Sequence, residues 1–184
     1  TYTIKGIDDP YATGKIDITV AGFHGMVLTV NGDYFIDPIA QNNTDIYMSF
    51  YKTDYISKEK FECLVTEEKV SSEFPQDFLT GQQLRTYRLA CAADGEYTVF
   101  HGGTVALGQA AIVTAINRVN GVYERDISVR LTLIANNTSI VYTNAATDPY
   151  TNNSPSALIT ENQTNITAVI GSANYDIGHV FTTG

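Results

Sequence analysis

Between residues 86 and 134 the hydrophobic period changes twice, and that succession restricts the fold more than any other feature of the chain. Residues 86–93 form a short apolar run of strand length. Val105, Ile112, Val113, Ile116 and Val119 then recur at helical spacing and give a helix one apolar stripe. Thr104, directly after Gly102-Gly103, is placed to cap that helix, because its hydroxyl can accept a hydrogen bond from a free N–H of the first turn. Gly121 suits the other end, where a left-handed residue commonly stops a helix. Residues 127–134 alternate apolar and polar, the period of a strand. A strand, a helix of about five turns and a second strand predict a βαβ unit with a right-handed crossover.

The rest of the chain falls on either side of this unit. After a loop over residues 151–156, Leu158, Asn162, Asn165, Ile166 and Val169 fit a second, weaker helix, and residues 178–183 read as a final strand. Upstream, residues 2–7, 15–20, 25–30, 33–36 and 46–51 read as short strands separated by Asp9-Pro10, Thr13-Gly14 and Asn31-Gly32. Both Asn31 and Gly32 tolerate positive φ, which favours a hairpin there. These strands predict a meander with a small core of its own. Residues 57–82 are charged and aperiodic and read as a linker, with a boundary near residue 80. The expected class is α+β: a β-rich domain with linker over 1–80, then an α/β domain over 81–184 with a mixed sheet and two helices. Thr1 opens inside a strand-like pattern, so a native N-terminus further upstream is expected.

Composition narrows the function. The net charge is −9 with no cationic cluster to offset it, which argues against nucleic acid as a partner. No apolar run reaches the length of a membrane span. Low charge content, 12 tyrosines and abundant Thr and Asn point to a β-rich, secreted protein. Asn42, Asn136, Asn137, Asn152, Asn162 and Asn165 stand in glycosylation sequons, which matter only in a eukaryotic secretory pathway.

Few residues carry recognisable chemistry. His24, His101 and His179 lie in separate segments without metal-ligand spacing and read as surface or hydrogen-bonded core histidines. There is no Gly-x-Ser-x-Gly elbow, no phosphate loop and no Gly-x-Gly-x-x-Gly. Asp94 and Glu96 could pair on calcium but read better as solvated turn residues. Cys63 and Cys91 allow one disulfide or two unpaired thiols.

Three stretches carry a resemblance. Residues 84–97, LRTYRLACAADGEY, 115–126, AINRVNGVYERD, and 175–184, YDIGHVFTTG, occur in the order seen in secreted bacterial reprolysin-like metalloproteases of the metzincin group. They resemble the first catalytic strand, the end of the first catalytic helix and the segment upstream of the zinc-binding helix. Residues 1–80 resemble, more loosely, the end of the family's propeptide. The family's HExxHxxGxxH motif does not occur in the 184 residues.

The resemblance implies a zinc-dependent endopeptidase acting on extracellular proteins and peptides. A zinc-bound water would attack the scissile carbonyl, with the glutamate of the zinc motif as general base. Zinc would belong to the parent protein, and a partner segment, the missing C-terminal catalytic half, would supply its ligands. The segment alone is expected to be inactive, without zinc and without catalytic residues. His179, Val180, Phe181, Thr182 and Thr183 would line the substrate by backbone strand addition. Cys63 would be the metal-directed residue, a propeptide thiolate occupying zinc's open position and keeping the enzyme latent. It lacks the glycine that follows the cysteine in better-known switches; Asp54 or Glu59 could act instead, and a disulfide to Cys91 would remove the thiol. Two rival readings stand beside this one: a structural module that assembles through strand edges, and a β-rich ligand-binding protein.

Overall fold

The computed structural model describes residues 1–41, 43–56 and 83–183. The class is α+β. A five-stranded antiparallel meander, β1 (Tyr2–Lys5), β2 (Thr13–Thr19), β3 (Gly22–Leu28), β4 (Tyr34–Pro38) and β5 (Tyr47–Tyr51), is ordered as in the sequence. A three-stranded sheet follows, built from β6 (Arg85–Ala93), β7 (Val129–Leu133) and β8 (Ile177–Phe181) in the order β7-β6-β8. Its helices are the short α1 (Gly95–Phe100), the long α2 (Val105–Ile127) and α3 (Pro155–Val169). The expected linker over 57–82, with Cys63 and Glu59 in it, lies outside the described residues.

The βαβ unit forms as its periodicity predicts. Strand β6 pairs in parallel with β7 after the α2 crossover and with β8 on its other side. All three described strands are therefore parallel, where a mixed sheet was expected. A parallel sheet needs both faces covered, and β6 shows why it is the central strand. Leu89, Cys91 and Ala93 point into one apolar cluster with Ile112 and Ile116 of α2. Ala90 and Ala92 point into a second, with Leu158 and Ile166 of α3.

Helix α2 starts where expected: the Thr104 hydroxyl accepts from Leu107 N at 3.2 Å. It does not stop at Gly121. It runs on to Ile127 and ends at Ser128, whose left-handed backbone (φ 53°) lets its N–H bond to Tyr123 O. Gly121 has a different reason to be glycine: it is buried in mid-helix, where a β-carbon would strike the Met26 methyl of β3.

Among the described residues the meander contributes to neither apolar cluster. Because cross-strand partners share a face, the registers put Lys15, Asp17, His24, Met26 and Phe35 on one side of the sheet, with Asp37 beside them. That is the side packed on α2, through Asp17 to Thr114 and Lys15 to Glu124. Tyr2, Ile16, Ile18, Phe23, Tyr34, Tyr47 and Tyr51 take the other side. So α2 lies between two sheets, apolar toward β6 and polar toward the meander. The turn before β4 also differs from expectation: only Gly32 has positive φ, and Thr29 staples the turn through Gly32 O and the Asp33 carboxylate.

Candidate functional site

The strand ends of the parallel sheet gather the residues that could do chemistry. Where β7 has run out, Asn137 takes its place beside β6. Its side chain accepts from Cys91 N at 2.8 Å and donates to Cys91 O at 2.9 Å, as a neighbouring strand would. The Cys91 thiol is wholly enclosed, and burial pushes its pKa up to about 12. It is a structural thiol rather than a nucleophile.

At the end of β6, Asp94 caps α1 by accepting from Tyr97 N at 2.7 Å. It is fully buried, which corrects the expectation of a solvated turn. It also leaves no paired calcium carboxylates, since Asp94 is turned to the helix end and Glu96 belongs to the first turn of α1. Gly95 donates its N–H to Asp148 at 2.7 Å, and a side chain there would enter the backbone of Asn144 and Ala145.

An aromatic row connects α1 to β8. The Tyr97 ring lies 4.4 Å from the His101 ring and stacks on Phe181 at 5.2 Å, and His179 stands edge-on to Phe181 at 4.9 Å. Burial raises the Tyr97 phenol well above its ordinary range. Desolvation holds both His101 and His179 below the usual imidazolium value. The His179 ring packs against Phe181, although the residue as a whole remains exposed. His101 also shares a cavity of about 350 Å³ with His24, between the meander and the helices, together with Asp37, Gln41, Arg118 and Tyr97. Two of the three histidines thus converge, which their spacing did not reveal, because the convergence arises from docking the meander on α2.

The five residues assigned to substrate sit on and just after β8. Val180 packs toward the α3 cluster and Phe181 toward the α2 cluster. Thr182 bonds to the Asn152 side chain, while His179 and Thr183 are exposed. The strand gives one backbone edge to β6, and among the described strands nothing pairs with the other. A groove of about 360 Å³ runs beside it, lined by Leu158, Ile159, Asn162, Tyr175 and His179. Asp176 locks the start of β8: its carboxylate takes Arg88 Nη2 at 2.7 Å, Arg88 Nε at 3.1 Å and Arg88 N at 2.7 Å. Cys63 lies outside the described residues. Two sequon residues, Asn137 and Asn162, are buried, which removes them as acceptors in the folded chain.

Residues 83–184 match a family model described as metallo-peptidase family M12B, reprolysin-like. No curated protein matches the chain.

Proposed function

The chain belongs to the reprolysin-like metallopeptidases of family M12B, and from that premise we propose that it is part of a secreted zinc-dependent metalloendopeptidase. In this reading residues 1–80 are propeptide-like with a linker, and residues 81–184 are the first half of the catalytic domain. Zinc dependence is general in the family. The described residues do not fit a resident zinc. Among them no three His, Cys, Asp or Glu side chains are placed to hold a metal. The best-placed pair, His24 with Asp17, is already engaged, since Thr114 and Asn117 take the Asp17 oxygens. In this reading the catalytic zinc ligands lie outside the described residues, and the segment alone is inactive.

What this segment would contribute is a scaffold and a substrate edge. The observation that carries the reading is the family match over the unit built from β6, α2, β7, α3 and β8, with an outer edge of β8 that no described strand occupies. An extended peptide of a protein substrate would add there through backbone hydrogen bonds, along His179 to Thr183. The Cys63 thiolate would keep the zymogen latent. Among the described residues no helix is long and apolar enough to cross a membrane.

The test is made on the full reading frame. Protein hydrolysis by that product should be abolished by a zinc chelator and restored by zinc. Amide exchange over residues 178–183 should slow when an extended peptide inhibitor binds. A zinc-free, inactive full-length product that forms fibres or oligomers would establish the rival reading, assembly through strand edges. Unchanged exchange in an active enzyme would remove β8 as the substrate strand.

A further inference from the structure

We propose that the N-terminal meander is an acid-releasable cap on α2, held by the Asp17 and Glu124 carboxylates and freed when they take up protons, while the parallel sheet and its helices stay folded. This goes beyond the peptidase reading and does not depend on it.

The seam is polar where most layer contacts are apolar. Asp17, only 2% exposed, accepts from the Thr114 hydroxyl at 2.8 Å and from Asn117 Nδ2 at 3.3 Å, with His24 Nδ1 at 3.4 Å. Lys15, also buried, donates from Nζ to Glu124 at 2.7 Å and to the Thr3 hydroxyl at 2.7 Å. The other Glu124 oxygen takes Arg130 Nε at 2.7 Å. Arg118 pairs with Asp37 while lying over the Phe35 ring, 5.0 Å from its centroid. The charged and titratable groups around Asp17 are thus His24 from β3, then Lys15 with Glu124 and Arg130, Arg118 with Asp37, and His101 across the cavity.

A buried pair that loses one charge leaves the other uncompensated. Protonated Asp17 would also turn an O–H toward groups that now donate to it. The direction with pH follows from linkage. Burial pushes both carboxyls up, but hydrogen bonds outweigh it. Those from His24, Thr114 and Asn117 hold Asp17 below its ordinary value, and those from Arg130 and Lys15 do the same for Glu124. Of these bonds, those from Thr114 and Asn117 to Asp17 and from Lys15 to Glu124 cross the seam and are lost on release, so docking loses their stabilisation as pH falls through the docked values.

The two methionines report the event. Met26 is buried in the seam at 4% exposure, and Met48 is open at 44%. Peroxide oxidises the thioether without involving a titrating group on methionine. Cys91, in the core beneath α2, reports whether the parallel sheet stays closed.

The experiment is peptide-level mass spectrometry of the intact chain after brief peroxide exposure at stepped pH, with a parallel probe of Cys91 by dithiodipyridine, which reacts in acid. At neutral pH Met48 should oxidise and Met26 should be spared. In acid Met26 oxidation should rise by about tenfold per pH unit for each carboxylate across its linkage interval, with Cys91 still shielded. Met26 that remains spared, or Met26 and Cys91 exposed together, would overturn the proposal. Asp17→Asn removes a charged acceptor from the Thr114 and Asn117 bonds and should speed Met26 oxidation at neutral pH by at least about tenfold, and Glu124→Gln should act in the same direction. In Asp17→Asn, unchanged Met26 protection or joint exposure of Cys91 would also count against it, since a cap comes away without opening the sheet beneath.

Discussion

Gly121 and Met26 meet across the seam between α2 and β3: a β-carbon on the glycine would occupy the space of the methionine methyl. The contact sets how closely the helix approaches the meander, and it explains a glycine in the interior of a long helix. Alanine there gains about 1 kcal/mol of helix propensity; it displaces the end of the flexible Met26 side chain and presses on Lys15 Cγ at 3.2 Å. Gly121→Ala should therefore leave denaturant stability within about 1 kcal/mol of the parent. Gly121→Leu should overpack the seam and cost about 1–3 kcal/mol, with faster Met26 oxidation. Equal stabilities for the two variants would mean that the seam is looser than its geometry indicates.

Asn137 and Cys91 form the second testable pair. The Asn137 amide satisfies both backbone groups of Cys91 and also donates to Gln109 Oε1 at 2.8 Å. Asn137→Ala strands a buried N–H and C=O, each costing about 1–3 kcal/mol. A loss of about 3 kcal/mol in urea unfolding is expected. A loss below about 0.5 kcal/mol would show that water or a shifted strand replaces the side chain.

The Cys91 thiol should be inert in the folded, reduced chain. Burial raises its pKa to about 12, so at pH 8 the nucleophilic thiolate is nearly absent. Iodoacetamide should label the Cys91 peptide only after denaturation. Labelling of the native chain at pH 8 would contradict the enclosed position. A mass measurement without reductant separately tests pairing with Cys63, since a bridge lowers the mass by two hydrogens.

Arg88 holds the Asp176 carboxyl down to about 2, chiefly through its side-chain and backbone hydrogen bonds. The pairing is present above the ordinary aspartate value and is lost as pH falls through about 2. A carbon-detected NMR titration should find that midpoint. Arg88→Ala should raise it only part of the way toward the ordinary aspartate value, because the backbone N–H of residue 88 still donates to the carboxylate. An unshifted midpoint in the parent would mean that the pair does not persist in solution.

Dialysed chain 1–184 should hold no stoichiometric zinc and cleave no protein. One zinc per chain by metal analysis would show that donors converge outside the described residues and would require a different account of where the family's metal is held.

Periodicity is a local property, and what depended on it was legible from the residues alone. The strand at 85–93, the helix opened by the Thr104 cap, the strand at 129–133 and the parallel pairing that follows a helical crossover all came from spacing. The order of the meander strands came from their turns, and the metallopeptidase family came from residues 83–184. Asp94 caps a helix that starts at the next residue, a local signal that the reading of a solvated turn passed over. The roles of Gly121 and Asn137 were not legible, because each is set by a partner far away in the chain, Met26 and the backbone of Cys91. The same holds for the meander. Alternation showed that its strands have two unlike faces but not which face would be covered. Tertiary structure put the Lys15, Asp17 and His24 face on α2 because Thr114, Asn117 and Glu124 offer buried polar groups their partners, and an unpartnered buried charge is the costlier alternative.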